Sequence, residues 1–169
     1  IRSLRIITDH LRAAVLVLGD DKGIAPSNTD QGYVLRRFIR RAIRHAKLLG
    51  IENKFCKEVA KVVVEVMGQV YEEVEKNKEF VFNELEKEEE KFYAVIEKGT
   101  QKLEKALFFL EKAGKKEVSG KVAFDLYQSF GFPIEMTVEM CEEKGFTVDK
   151  ENFRKRLQKH QELSMPPLL

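Results

Sequence analysis

Between Tyr71 and Lys112 the apolar residues Val74, Val81, Leu85, Phe92, Ile96, Leu103 and Leu107 recur at spacings that alternate between seven and four. No β-strand holds such a series on one face, because strand faces repeat every second residue. Seven plus four is an eleven-residue repeat, about 3.67 residues per turn, close to the natural twist of an α-helix. The spacing predicts a long, nearly straight helix and not a left-handed coiled coil. Gly99 lies inside this segment and would allow a bend, at roughly 1 kcal/mol relative to Ala. A helix of this length sets the fold class. The chain is read as all-α, a helical bundle with one long helix plus a small C-terminal helical subdomain.

The remaining segments fit that class. Ser3 is placed as the cap of a first helix, with Leu4, Ile7, Leu11, Ala14, Val15 and Leu18 on its inner side. The stretch GDDKGIAPSNTDQG then gathers turn formers into a loop, with room for a short strand in KGIAP. A second helix is expected from Asp30 to Leu49, ending at Gly50, and a third from Lys54 to Met67. KAGKKEVSG is the best internal boundary, which divides the chain into residues 1–115 and 116–169. Beyond it, Ser119 caps a helix that ends at Gly131. Another runs from Ile134 to Lys144 and stops at Gly145, and Asp149 caps the last. SMPPLL is expected to end the ordered structure. The chain starts at Ile1, within an apolar-periodic segment and without Met, as expected of a piece cut from a longer protein.

The two cysteines, Cys56 and Cys141, stand far apart in a Lys/Glu-rich chain. They read as buried free thiols in a reducing, cytoplasmic compartment. No CxxC, HxxxH or HExxH pattern is present, so no metal or other cofactor is expected in this segment. There is no phosphate-binding glycine loop, no combination of nucleophile, base and orienting group, and no apolar run of membrane-spanning length. No catalytic residue is assigned.

Net charge is only +2, but its distribution is uneven. Gln31 to Gly50 holds six cationic residues and no acidic one, while Tyr71 to Lys98 holds ten Glu against five Lys. On a helical wheel Arg36, Arg37, Arg40, Arg41, Arg44 and Lys47 fall within about 140°, opposite Leu35, Ile39, Ala42, Ile43 and Ala46. Like charges at i,i+4 repel by about 0.2–0.5 kcal/mol per pair, so something must offset this row. Two partners can do so. Carboxylates of the Glu-rich helix would make the row structural. RNA phosphates would make it a binding surface, for which the bidentate guanidinium fork is well suited. Arg2, Arg5 and Arg12 would extend that surface. Ser27, Asn28, Thr29 and Asp30 precede the basic helix. They either cap it and shape the turn, or bring short polar groups to a base edge. Tyr33 lies on the basic side, either as a stacking or phosphate contact or as an interfacial core residue.

The stretches LRIITDHLRAAVLVLGDDKGIAPSNTDQGYVLRRFIRRAIRHAKLLG and AFDLYQSFGFPIEMTVEMCEEKGFTVDKENF closely resemble, in order and separation, the segment that follows the catalytic core of alanyl-tRNA synthetases of bacterial type. The resemblance covers essentially the whole chain. It implies a helical tRNA-recognition region between the class II aminoacylation core and the editing domain. The implied partners are those two domains and the acceptor stem of tRNA(Ala), whose identity signal is a G·U wobble pair. It implies base-pair recognition by Asn28, the Asn of the PSN motif, and by position 128. There the family has an Asp after LY, and this chain has Gln128, which keeps an acceptor but loses the charge. Arg36, Arg37, Arg40, Arg41, Arg44 and Lys47 match the family's basic run as backbone contacts, with Ser27, Asp30 and Tyr33 in support. ATP with magnesium and a zinc ion are implied only for the catalytic core and the editing domain. The signature segments of both are absent here, so this segment is expected to bind and place tRNA without aminoacylating it. The competing readings are a helical docking or subunit-contact module and a non-specific RNA binder.

Overall fold

A computed structural model describes residues 1–164; the SMPPLL stretch, from Met165 on, lies outside the described residues. The helices are α1 (Arg2–Gly19), α2 (Asp30–Leu48), α3 (Cys56–Met67), α4 (Glu72–Lys76), α5 (Lys78–Lys112), α6 (Gly120–Phe130), α7 (Ile134–Glu142) and α8 (Lys150–Ser164). Two short strands, β1 (Glu117–Val118) and β2 (Thr147–Val148), pair in parallel, with Val118 opposite Val148. The architecture is an all-α bundle with one long helix and a smaller C-terminal helical subdomain. Contacts divide the chain into two compact units, Ile1–Ala94 and a second beginning at Val95, so the division falls within α5. The turn after Lys112 lies inside the second unit.

In the first unit α1 packs along α2, and α3 and α4 lie against α1. The core is built from the apolar faces of α1 (Leu11, Val15, Leu18) and α2 (Leu35, Ile39, Ile43), closed by Cys56, Val74 and Leu85. Leu4 is exposed, against the inward position expected from its spacing. Ser3 lies within α1 and does not cap it. Its hydroxyl is 3.0 Å from Nδ1 of the buried His45, tying the start of α1 to α2. KGIAP forms no strand.

All seven apolar positions of the long stripe are buried, from Val74 to Leu107. The segment is nevertheless not one helix, because Asn77 separates α4 from α5. The Asn77 amide donates to the Gly19 carbonyl and to Asp21 Oδ1, both at 3.0 Å, and Lys76 pairs with Asp21 at 3.1 Å. These bonds satisfy the end of α1 at the cost of one break in the helix. Val74 comes so near Gly19 that a Cβ there would lie 3.1 Å from it.

In the second unit Ser119 accepts the Val122 N–H at 3.3 Å to cap α6, which closes on Gly131 in the left-handed region at φ 63°. Asp149 caps α8 by accepting the Asn152 N–H at 2.9 Å. Gly99 serves close approach: a Cβ there would lie 2.6 Å from the ring of the fully buried Phe132. Both cysteines are buried and unpaired. Among the described residues no helix is long and apolar enough to cross a membrane.

Candidate nucleic-acid interface

The loop before α2 is folded back onto the first turn of that helix. Ser27 N–H donates to the Gly32 carbonyl at 3.0 Å. A Cβ at position 32 would collide with Ser27 Oγ at 2.2 Å and the Ala25 carbonyl at 2.7 Å, so only glycine lets the loop return so closely. Asp30 enters the helix at φ 49°, a left-handed conformation that Asp tolerates better than most residues. The N-cap is Thr29, without a side-chain cap bond. Ser27 shapes the turn instead, donating its hydroxyl to the Thr29 carbonyl at 2.9 Å and accepting the Thr29 N–H at 3.3 Å. Ser27 and Tyr33 are half-buried, while Asn28 and Asp30 are exposed.

Asn28 therefore neither caps the helix nor makes the turn. Its carbonyl oxygen accepts a hydrogen bond from Arg36 Nη1. Guanidinium nitrogens only donate, so this contact fixes which end of the amide faces Arg36. The Asn28 amide nitrogen has no partner among the described residues.

The basic row is divided by burial. Arg40 and Arg44 are buried, at 6% and 7% exposure, while Arg36, Arg37, Arg41 and Lys47 are half-buried. The uninterrupted surface ridge expected from the helical wheel is thus broken at two positions. At Arg40 the partner is Glu88 of α5, itself 2% exposed. Its Oε1 accepts from Arg36 Nε at 3.0 Å and from Arg40 Nε at 2.6 Å. Arg40 also lies over the Phe92 ring, 5.0 Å from its centre, a cation–π contact that fills the space behind the pair. At Arg36 and Arg40, then, the carboxylate partner weighed in the sequence is present.

Toward the other side, Arg41 donates to His10 Nε2 at 3.0 Å, and the His10 ring meets Phe38 edge-on at 5.1 Å. Lys47 reaches Glu52 at 3.4 Å and lies 5.1 Å from the centre of the Tyr93 ring. Arg2, Arg5 and Arg12 of α1 are exposed, Arg12 pairing with Asp9 at 3.4 Å. Gln128 is exposed on α6 of the second unit, without a partner among the described residues. Among the described residues no three His, Cys, Asp or Glu side chains are grouped to hold a metal ion.

The model of the family described as tRNA synthetases class II (A) matches residues 1–166. The chain belongs to this family. Among its relatives are the alanine–tRNA ligases of Treponema denticola, 51% identical over 162 residues, and of Lachnoclostridium phytofermentans, 44% identical over 160. The alanine–tRNA ligase of Natranaerobius thermophilus is 41% identical over 160 residues. These matches cover 95–96% of this chain but only 27% of the Treponema protein and 18% of the other two. The chain thus spans roughly a quarter or less of these synthetases.

Glu88 is the residue that sequence reasoning passed over, along with its neighbour Glu89, 1% exposed. Their signal was present. Both fall in the seven-residue gap between Leu85 and Phe92, three and four residues beyond Leu85, and hence on the same face as the buried stripe.

Proposed function

We propose that this chain recognises the acceptor stem of tRNA(Ala) within an alanine–tRNA ligase, as the helical region beside the class II catalytic core. On this reading residues 1–115 form the acceptor-stem domain and 116–169 the subdomain that completes it. The observation that carries the proposal is the exposed Asn28, held at its oxygen by Arg36 at the mouth of a cationic helix. The names of the matching relatives supply the substrate class. A minor-groove base pair in A-form RNA is open to a short amide on a shallow surface, and half-buried cations beside it can meet the phosphates. Asn28 and Gln128 read the wobble pair. Arg37, Arg41 and Lys47 neutralise backbone charge, and Arg36, Arg40 and Arg44 supply positive field from beneath. Ser27, Asp30 and Tyr33 hold the loop and its flank.

This binding places the tRNA 3′ end for transfer of alanine from alanyl-adenylate, which the rest of the protein makes from ATP and alanine. Positioning of this kind converts an encounter into a reaction between held partners. ATP, magnesium and the editing zinc belong to other parts of that protein, which works in the cytoplasm.

The test is binding and alanylation of minihelix RNAs with G·U or G·C at the signal position. Asn28→Ala is expected to lose about 1–3 kcal/mol of discrimination between them. Equal discrimination by the variant and the unaltered protein would overturn the assignment of Asn28.

A second reading, a docking module, is favoured by one observation. Val62 and Val66, one turn apart on α3, are 60% and 59% exposed. That reading expects RNA affinity insensitive to salt, and loss of a protein contact on substituting Val62 and Val66 with Ser.

A further inference from the structure

An exposed asparagine is an imprecise reader. Its amide ends are similar in size but opposite in hydrogen-bonding sense, and a free side chain presents either one. The protein removes this ambiguity with a relay that begins in the core of the first unit. Phe92 is fully buried and supports Arg40 from one side. Arg40 and Arg36 share Glu88 Oε1, at 2.6 and 3.0 Å. The Arg36 guanidinium is thereby held at Nε, and its Nη1 reaches out to the Asn28 oxygen. Along this path exposure rises from the buried Glu88 through Arg36, whose side chain is 15% exposed, to the open side chain of Asn28.

We infer that Arg36, anchored by Glu88, is a positioning residue for specificity. It fixes the orientation of the Asn28 amide before RNA arrives, and so governs discrimination between base pairs rather than overall affinity. The inference rests on the acceptor-stem reading. Its chemical requirement is a side chain that donates in two directions at once. The guanidinium does so through Nε and Nη1 in one plane, whereas a lysine ammonium, a point donor on a flexible stem, cannot hold both partners in that geometry. If Arg36 were only a phosphate ligand, Lys would substitute for it with little change in selectivity.

The experiment measures binding of G·U and G·C minihelices to the protein at its natural length, unaltered and with Arg36→Lys, Arg36→Gln, Asn28→Ala, and Arg36→Lys combined with Asn28→Ala. Both Arg36 variants leave the Glu88–Arg40 pair in place, which keeps the core charge compensated. Arg36→Lys is expected to lower the G·U over G·C binding ratio about tenfold, as Asn28→Ala does, with Arg36→Gln doing the same. The combined variant is expected to lose no more selectivity than either single one, because both remove the same interaction. Glu88→Asp keeps the charge but shortens the anchor by one methylene, and is expected to lower the ratio in the same direction.

If Asn28→Ala leaves the ratio unchanged, the acceptor-stem reading fails and the inference with it. If Asn28→Ala lowers the ratio while Arg36→Lys preserves it, the reading stands and the positioning role is overturned. That role is overturned as well if Arg36→Lys weakens both stems equally. A folded Glu88→Asp protein with full selectivity would remove Glu88 from the relay.

Discussion

The carboxylate of Glu89 closes the N-terminus of α3 at Cys56, with its oxygens 3.3 and 3.2 Å from the Cys56 nitrogen. Oε1 also accepts the Phe55 N–H at 2.9 Å. The first turn of α3 has no side-chain cap of its own, so a carboxylate from α5 serves donors that would otherwise be orphaned. Burial raises the pKa of Glu89, outweighing the lowering by the two backbone N–H groups. Burial, and then Glu89 itself, pushes the Cys56 thiol well up. The sign for stability follows from Glu89. Between its unfolded and its raised folded pKa the folded chain holds more protons than the unfolded one. Stability therefore falls as pH rises through the window just above the ordinary glutamate range. Glu89→Gln keeps an acceptor and removes that slope, so urea melts from acid to neutral pH should show the variant gaining on the wild type as pH rises. Glu89→Ala should cost about 1–3 kcal/mol at neutral pH, because the buried Cys56 N–H and the half-buried Phe55 N–H lose their acceptor. Parallel pH profiles for Glu89→Gln and wild type would refute the assignment.

Gly99→Ala gives a test in which two effects oppose each other. Helix propensity alone favours Ala in the middle of α5 by about 1 kcal/mol. The added methyl would lie 2.6 Å from the Phe132 ring and 3.1 Å from Phe130 Cβ. Phe132 is fully buried, so its ring has little room to yield. Overpacking of this kind costs about 1–3 kcal/mol, and the substitution is expected to be destabilising. Adding Phe132→Leu should recover part of that loss by shortening the facing side chain. A thermal melt in which Gly99→Ala raises the transition would show that propensity wins.

The long stripe shows what the sequence made legible and what it hid. Its seven apolar positions are all buried, and their helical period was readable because apolar burial leaves a regular trace. The three seven-residue gaps left no such trace, yet each holds a residue with a task on that face. Asn77 bonds the end of α1, Glu88 and Glu89 receive arginines and backbone N–H groups, and Gly99 admits Phe132. A polar side chain in a charged segment looks solvated until its partner is known, and the partners of Glu88 lie 52 and 48 residues away. The basic helix was legible for the same periodic reason. Its division into buried and half-buried cations was not, because that depends on packing against residues distant in sequence, such as Glu88 at Arg40. The capping residues Ser119 and Asp149 were readable because their bonds are local.

That division of the cations predicts two kinds of phenotype along one helix. Arg37→Gln, Arg41→Gln and Lys47→Gln are expected to weaken G·U and G·C stems alike. Each should reduce the slope of log affinity against log salt by about 0.7–0.9 if its cation neutralises one phosphate. Arg40→Gln instead removes a buried guanidinium while Arg36 still compensates Glu88, and is expected to cost about 1–3 kcal/mol of stability. Titrations at several salt concentrations, paired with thermal melts, separate the two groups. A full salt slope in the triple variant Arg37→Gln, Arg41→Gln, Lys47→Gln would remove these three cations from the RNA contact.

Gln128→Asp asks whether the second reader is a compromise. The side chain is exposed two residues before the end of α6, so the change disturbs no packing. A carboxylate near a helix C-terminus is unfavourable by about 0.3–1 kcal/mol, and a small loss of stability is expected from the helix dipole. Recognition should move the other way. A neutral amide offers either a donor or an acceptor, whereas a carboxylate only accepts. The guanine amino group of a G·U pair is not engaged by its partner base, so both of its hydrogens are available in the minor groove. An obligate acceptor therefore gains more from G·U than from G·C, where one amino hydrogen is already paired. Gln128→Asp should widen the G·U over G·C preference in minihelix binding while lowering the melting temperature slightly. An unchanged preference would mean that position 128 does not contact the base pair.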